Sequence, residues 1–232
     1  MKKLSPSHNQ IQCVESFHDL VSVPFHGEIN AICWNRELRG DFSEIVKKVA
    51  LTENIMVLNK DTLLELQLSE QGQLAREIIL NDMALLKAHG ADPILNLIKN
   101  YETDETHPFF PTDVYSFHVD RSPIPTNTFL CTYYGESSEI LPNFQAEQKV
   151  LVPEIREELK KLFHGSEEEF ESFLSEHFFD LHYRAKPNAK PIRLGNGNLW
   201  RLAVDCAESN VLPCIHRAPK EKTGENRLLL IC

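Results

Sequence analysis

The chain lacks several features that would assign it to a broad class of protein. Its 232 residues carry 24 lysines and arginines against 34 aspartates and glutamates, a formal net charge of −10. Because nucleic-acid binding depends on clustered basic side chains, we expect no nucleic-acid partner. No apolar run is long enough for a transmembrane helix, and the basic residues 1–6 lack the apolar stretch of a secretion signal. We therefore expect a cytoplasmic protein without a membrane span.

Diagnostic cysteine spacing and common catalytic motifs are also missing. The six cysteines show neither CxxC spacing nor a dense framework, so we expect reduced thiols. The sequence contains no GxSxG, no HExxH and no glycine-rich phosphate loop, so local motifs do not support a hydrolase or a nucleotide-binding protein. The cysteines are residues 13, 33, 131, 206, 214 and 232.

What the sequence does contain is a globular composition, with 42% hydrophobic and 25% charged residues. A chain of this length fits one domain, which we place over residues 1–232. The residue pattern divides this domain into a helix-rich part, 1–105, and a strand-rich part, 106–232, with a helical insertion at about 153–180. The pattern does not determine the oligomeric state.

The first part shows three helical patterns and one short strand. Asp41 caps an amphipathic segment that reaches residue 49, and Ser69 caps a longer one that continues to Ala88 before Gly90. The pair 92–93, Asp-Pro, is typical of a helix start and predicts a third helix to about residue 99. Residues 31–34 predict a short strand.

The second part is a run of short strands. The candidates are rich in β-branched and aromatic residues and are bounded by turns. The insertion between them predicts two helices, the second opened by a capping box of Ser166 and Glu169. Such a pattern predicts a barrel or sandwich with helices packed on it. The strand candidates are 114–120, 128–134, 199–206, 211–217 and 227–232.

Two histidines and one aspartate in these strands form a candidate metal site. In a strand, residues i and i+2 point to the same side, so His118 and Asp120 would both face the interior. His216 lies in an apolar run on a later strand and could supply the third ligand. Two imidazoles and a carboxylate hold divalent iron and leave coordination positions for other ligands. Zn(II) is an alternative metal for the same donors.

Arg227 follows His216 by eleven residues and could bind an acidic second ligand. If residues 212–217 and 227–232 pair as antiparallel strands, the intervening loop returns Arg227 to His216. A guanidinium there would take a carboxylate through two parallel hydrogen bonds, as a 2-oxo acid requires. His182 and Arg193 have the same spacing, but they border a helix and a loop rich in proline and glycine, so we favour His216.

The alternative is that these histidines are ordinary half-buried residues satisfied by neighbours, with Arg227 in a salt bridge. An HxD pair alone is a weak signal. Cys131 and Cys214 lie in apolar strands, where we expect small packing residues and not metal ligands.

The order HxD, distal histidine, then arginine resembles the signature of the Fe(II)- and 2-oxoglutarate-dependent oxygenase superfamily. The resemblance implies a double-stranded β-helix, a jelly-roll or cupin-like core with helices outside. It implies that His118, Asp120 and His216 bind iron and that Arg227 binds 2-oxoglutarate. Many members carry a serine or threonine two residues after the arginine, where this chain has Leu229. Tyr133, Tyr115 or Thr132 could supply that hydroxyl.

A second resemblance covers more of the chain but implies no activity. Several segments resemble recurring blocks of a bacterial domain family of unknown function, among them the HVDR and HRxP motifs. The segments are 34–36, 117–121, 131–133, 216–219 and 227–229.

From the first resemblance we predict a non-haem Fe(II)/2-oxoglutarate-dependent oxygenase of undetermined substrate, small molecule or protein. The alternatives are a non-catalytic cupin-like metal- or ligand-binding protein, acting as a sensor or in metal handling, and a β-sandwich scaffold with incidental histidines.

Overall fold

The computed structural model describes residues 9–220, 222 and 224–232. Within them it contains two β-sheets and six α-helices, an α+β fold. The basic segment 1–6 lies outside the described residues, as do residues 221 and 223 of the loop that precedes Arg227. None of the helices in the described ranges is long and apolar enough to cross a membrane.

Thirteen strands form the two sheets of the described chain. The sequence of the central strand, NTFLCTYY, shows why they form, because β-branched and aromatic residues suit a pleated surface that is covered on both faces. The strands are Ile11–Val14 (β1), Ala31–Trp34 (β2), Ile55–Val57 (β3), Ile94–Ile98 (β4), Phe117–His118 (β5), Asn127–Tyr134 (β6), Glu139–Ile140 (β7), Ala146–Gln148 (β8), His182–Ala185 (β9), Ile192–Arg193 (β10), Leu199–Ala203 (β11), His216–Arg217 (β12) and Arg227–Ile231 (β13).

The strand order shows how the chain alternates between the sheets. The seven-stranded sheet has the order β1-β2-β11-β6-β13-β4-β3, and the six-stranded sheet has the order β10-β7-β12-β5-β9-β8. From β4 to β7 each successive strand lies in the other sheet, and the same alternation holds from β10 to β13. Within these two runs, strands that are neighbours in sequence therefore lie on opposite sides of a shared interior.

Six helices accompany the sheets. Asp41 and Ser69 cap α2 and α4 through their side chains, as the sequence predicted. The capping box of Ser166 and Glu169 is also present and opens a 3₁₀ turn that leads into α6. The helices are Phe17–Ser22 (α1), Phe42–Lys48 (α2), Lys60–Glu65 (α3), Glu70–Ala88 (α4), Pro153–Leu162 (α5) and Phe170–Glu176 (α6).

The two faces of the seven-stranded sheet bury different cores. On one face, side chains such as Ile32, Phe129 and Leu230 pack with apolar residues of α1 to α4. On the other face, Leu130, Trp200 and Leu229 pack with Ile140 and Cys214, which belong to the six-stranded side. The interior between the sheets is therefore apolar, and polar groups placed inside it need specific partners.

The structure corrects three sequence predictions of local structure. Residues 94–98 form β4 and not a helix, because this segment pairs with β13 and β3 along its length. The strand candidates 114–120 and 211–217 shorten to two-residue strands. The helix-rich part, 1–105, contains α1 to α4 and also supplies four strands among its described residues.

Pairing of 212–217 with 227–232 is also wrong. β12 lies in the six-stranded sheet between β7 and β5, whereas β13 lies in the seven-stranded sheet between β6 and β4. Apolar residues of both segments instead pack into the same interior cluster, Cys214 from one and Leu229 from the other.

Candidate metal centre

The register of two neighbouring strands brings the first two histidines together. His118 of β5 is the direct antiparallel partner of His216 in β12. Phe117, Val119 and Ile215 lie in an apolar cluster on the opposite face of this sheet. Because side chains alternate along a strand, His118, Asp120 and His216 share the face that turns towards the seven-stranded sheet.

The three side chains converge on one small volume. One ligand atom from each of His118, Asp120 and His216 lies within 4.8 Å of the other two. The Nε2 atom of His118 is 3.9 Å from Asp120 Oδ1, and that of His216 is 3.6 Å from Asp120 Oδ2. The two imidazole rings are 4.7 Å apart at their centroids. These separations suit atoms that share one first-row metal ion at about 2 Å each.

Backbone carbonyls orient both rings. Nδ1 of His118 lies 2.7 Å from the carbonyl oxygen of Ser116, and Nδ1 of His216 lies 3.2 Å from that of Cys214. A carbonyl can only accept, so Nδ1 carries the proton in each ring and Nε2 keeps a free lone pair. This is the arrangement that metal-binding histidines usually have. Both Nε2 atoms are the ones that face Asp120.

Asp120 stays ionised in these surroundings. Burial raises the pKa of its carboxyl group, but His216, the Thr128 hydroxyl and His118 together lower it below the usual value. The Oγ1 atom of Thr128, on β6, donates a hydrogen bond to Asp120 Oδ2. The Asp120 side chain is 37% exposed and that of His216 only 9%, so the site opens on the aspartate side.

The site keeps His118 neutral. Burial and the neighbouring His216 lower the pKa of His118 to about 4. A neutral imidazole and an ionised carboxylate are the protonation states that bind a divalent cation. The site is therefore prepared for a metal at neutral pH without prior loss of a proton from His118.

The rival pair, His182 and Arg193, does not join this group. His182 lies on β9 opposite His118, at 5.8 Å between ring centroids, and burial followed by His118 lowers its pKa to about 3. Arg193 lies on β10, where its exposed side chain pairs with Glu136 and Glu139. Among the described residues, the set that can share a cation contains His216 and not His182.

Arg227 is buried in the interior among hydroxyl groups, with 1% of its surface exposed. Its guanidinium donates to Ser138 Oγ at 2.7 Å, to Thr132 Oγ1 at 3.2 Å and to Tyr101 Oη at 3.5 Å. Ser138 precedes Ile140 by two residues, and Ile140 is the register partner of His216. The guanidinium, which comes from the seven-stranded sheet, therefore contacts a serine two residues from the register partner of His216.

The tyrosines have separate positions. Tyr133 does not face this interior, because its hydroxyl donates to Asp82 on α4 at 2.6 Å and its ring stacks on Phe42. Tyr115 lies beside Tyr101, which contacts Arg227, since the Tyr115 hydroxyl accepts from the backbone N–H of Tyr101 at 2.9 Å. Thr132, one of the sequence candidates for a hydroxyl beside Arg227, does contact it.

Sequence reasoning did not find Thr128, Ser138 or Tyr101. Thr128 and Thr132 lie on the same face of β6, because side chains alternate along a strand and the two residues are four positions apart. This period of two was the available signal for the inward face. Ser138 and Tyr101 lie at the edge of short or irregular segments, where no period exists to follow.

Comparisons with protein-family models, with curated proteins and with solved structures give no match to this chain. The chemistry of the site therefore has to be inferred from its own donor atoms and surroundings.

Proposed function

We propose that His118, Asp120 and His216 bind one divalent metal ion and that the protein is an Fe(II)- and 2-oxoglutarate-dependent oxygenase. The observation that carries the proposal is the convergence of the three ligand atoms within 4.8 Å, on side chains from two strands whose rings are oriented by backbone carbonyls. In both histidines Nδ1 contacts a backbone carbonyl and Nε2 turns towards Asp120, so three potential ligand atoms face one point.

The donor set fits the proposed metal. Two neutral imidazole nitrogens and one carboxylate oxygen form the facial set of non-haem Fe(II) oxygenases, with other positions left for exogenous ligands. No arginine or lysine within residues 9–220, 222 and 224–232 forms an ion pair with Asp120. A divalent cation would supply the positive charge that this carboxylate otherwise receives only from histidines and a hydroxyl.

The topology supports a double-stranded β-helix, or jelly roll, as the core. Such a core has eight strands in two facing sheets. In this chain β4, β6, β11 and β13 are neighbours in the larger sheet, and β5, β7, β10 and β12 are neighbours in the smaller one. The remaining strands extend the sheet edges, so we infer that they are additions to this eight-stranded unit.

The surroundings of Arg227 support a carboxylate site. A guanidinium binds a carboxylate through two parallel hydrogen bonds, and neighbouring hydroxyl groups can donate further ones. Thr132 and Ser138 lie beside the guanidinium and would provide the hydroxyls that Leu229, which is apolar, cannot provide. We infer that the distal carboxylate of 2-oxoglutarate binds here, with its other end directed towards the metal.

Each protein group then has a defined part. When bound, Fe(II) and 2-oxoglutarate would supply the activation of dioxygen, in which 2-oxoglutarate would lose carbon dioxide and gain one oxygen atom to give succinate. His118, Asp120 and His216 hold the metal, Thr128 orients the Asp120 carboxylate, and Arg227 orients the cosubstrate. The apolar residues between the sheets limit access of water to the interior.

The first test is the metal affinity of Asp120→Asn. It is measured by titration of chelator-treated protein. We expect affinity for Fe(II), or for Mn(II) as a redox-stable probe, to fall by more than the roughly 10–100-fold that loss of an outer partner causes. Asp180→Asn is the matched control, because Asp180 is an aspartate paired with Arg121 and is not one of the three proposed ligands. Equal affinity in wild type and Asp120→Asn would contradict the metal site.

Arg227→Met separates the cosubstrate from the metal. We expect this variant to keep its metal affinity but to lose the rise in melting temperature that 2-oxoglutarate gives to the anaerobic Fe(II) protein. Succinate formation, with or without added substrates, should be lost as well. If wild type binds stoichiometric zinc and gains no stability from 2-oxoglutarate, the protein is a cupin-like metal-binding protein and not an oxygenase.

A further inference from the structure

Two cysteines outside the metal centre lie face to face on neighbouring strands. β1 and β2 are parallel, and Cys13 and Cys33 are direct partners in their register. Directly opposed residues of two paired strands project to the same face of the sheet. Ile11, two residues before Cys13, packs on the same interior cluster that contains Cys33, which agrees with this orientation.

The spacing of paired strands allows the two sulfur atoms to bond. Neighbouring strands lie about 4.8 Å apart. Disulfides join cysteines whose Cα atoms are about 4.4–6.8 Å apart. Bridging Cys13 to Cys33 therefore requires little movement of the backbone. β1 is also the edge strand of its sheet, which leaves it free to adjust.

The two thiols differ in access and in acidity. Cys13 is exposed, whereas Cys33 is fully buried. A hydrogen bond from the Cys33 thiol lowers the pKa of Cys13 to about 7, although burial acts in the opposite direction. The same hydrogen bond, together with burial, raises the pKa of Cys33 well above its usual value. The pair thus combines an accessible thiolate with a protonated neighbour, the combination that redox-reactive cysteines show.

We propose that Cys13 and Cys33 are a reversible dithiol site that reacts with hydroperoxides. The Cys13 thiolate attacks one peroxide oxygen, the O–O bond breaks, and Cys13 sulfenic acid and hydroxide (or alkoxide) are formed. The Cys33 sulfur then attacks the Cys13 sulfur, the S–O bond breaks, and the Cys33 proton leaves with the oxygen as water. One peroxide is reduced by two electrons and one disulfide is formed, which an external dithiol reduces again.

The other cysteines do not share this combination. Burial raises the pKa of Cys131 to about 12 and that of Cys232 to about 11, and it raises the pKa of Cys214 as well. Cys131 and Cys214 are also buried. Cys206 is less exposed than Cys13 and lies outside the secondary-structure elements, and it serves as the internal reference for a thiol that solvent can reach.

Peptide mapping of the full chain under non-reducing conditions tests the proposal. Reduced protein is treated with stoichiometric hydrogen peroxide in the presence of a chelator, so that metal-catalysed oxidation does not contribute. We expect the Cys13 and Cys33 peptides to become linked, free thiols to fall from six to four, and dithiothreitol to restore them. Dominant oxidation at Cys206, or no 13–33 link after loss of thiols, would overturn the proposal.

Variants identify the order of the two steps. Cys33→Ala should accumulate sulfenic acid on Cys13, detected by dimedone labelling, whereas Cys13→Ser should form neither product and Cys206→Ser should behave as wild type. Cys33→Ala also leaves a small space in the core, which could itself change the reactivity of Cys13. A second measurement therefore uses the wild-type protein. The rate at which iodoacetamide alkylates Cys13 should rise with a midpoint near pH 7, and a midpoint at the usual thiol value of about 8.5 would contradict the proposed reactivity.

Discussion

Two clusters of charged and polar side chains lie on opposite faces of the seven-stranded sheet, and they are built differently. On the helix side, Asp82 of α4 binds Arg36 through both oxygens and also accepts from Tyr133. Arg36 stacks on Trp34 and donates to the carbonyl of Gly197 at 2.7 Å. In the interior, Asp120 instead faces the imidazoles of His118 and His216 and the hydroxyl of Thr128.

The difference lies in where the compensating charge comes from. The chain supplies its own cation to Asp82, and the guanidinium geometry satisfies that carboxylate. For Asp120 the chain supplies two imidazoles and a hydroxyl but no arginine or lysine ion pair among the described residues. The first cluster is therefore complete within the chain, whereas the second could hold an exogenous cation. Three predictions follow from this contrast.

The largest effect is expected for Asp82→Ala. The substitution leaves Arg36 charged and largely buried, a change that typically costs about 3–5 kcal/mol of folding free energy. Urea denaturation of the metal-free protein measures it. Asp120→Asn, the corresponding change in the interior cluster, should alter the stability of the metal-free protein by less than about 1 kcal/mol. Comparable losses in the two variants would abolish the proposed distinction.

Acid should destabilise the fold through His118 of the interior cluster and through its neighbour His182 on β9. The unfolded chain protonates histidine near pH 6.5, whereas His118 and His182 in the folded chain have pKa values of about 4 and about 3. Between pH 6.5 and the folded-state pKa values, the unfolded state binds more protons than the folded state. The contribution of these histidines to the free energy of unfolding is therefore fully present above pH 6.5 and is lost as the pH falls. The loss between pH 7 and pH 5 is about 2 kcal/mol per histidine.

Urea midpoints at pH 7, 6 and 5 test this linkage with metal-free protein. His182→Gln does not titrate in this range and should show a flatter dependence than wild type. His89→Gln is a control, because His89 caps the end of α4 outside the cluster. An unchanged slope in His182→Gln would show that His182 protonates equally in both states.

The smallest effect is expected for Thr128→Val, which removes the hydroxyl that donates to Asp120. Loss of such an outer partner lowers metal affinity by about 10–100-fold while leaving the ligands in place. Thr132→Val is the matched control, since Thr132 lies on the same strand but contacts Arg227. Thr132→Val should weaken 2-oxoglutarate binding and leave metal affinity unchanged. If Thr132→Val weakens metal binding and Thr128→Val weakens 2-oxoglutarate binding, the roles assigned to the two threonines are wrong.

Some features were predictable because their causes are local. The capped helices at Asp41 and Ser69 and the strands near 31, 128 and 227 follow from side-chain caps and from β-branched and aromatic runs. The strand at residues 94–98 was not predictable, because a short apolar segment after Asp-Pro is compatible with a helix and with a strand. Pairing with β13 and β3 decides the outcome, and these partners are distant in sequence.

The sequence by itself determined the residue types and spacing of the candidate ligands. The i, i+2 alternation of a strand already placed His118 and Asp120 on one face. Only the tertiary structure decided that His216 and not His182 completes the group, and that Arg227 approaches from the opposite sheet among Thr132, Ser138 and Tyr101. The physical reason is that sheet register and the stacking of two sheets arise from pairing and packing over long sequence separations, which no local pattern encodes.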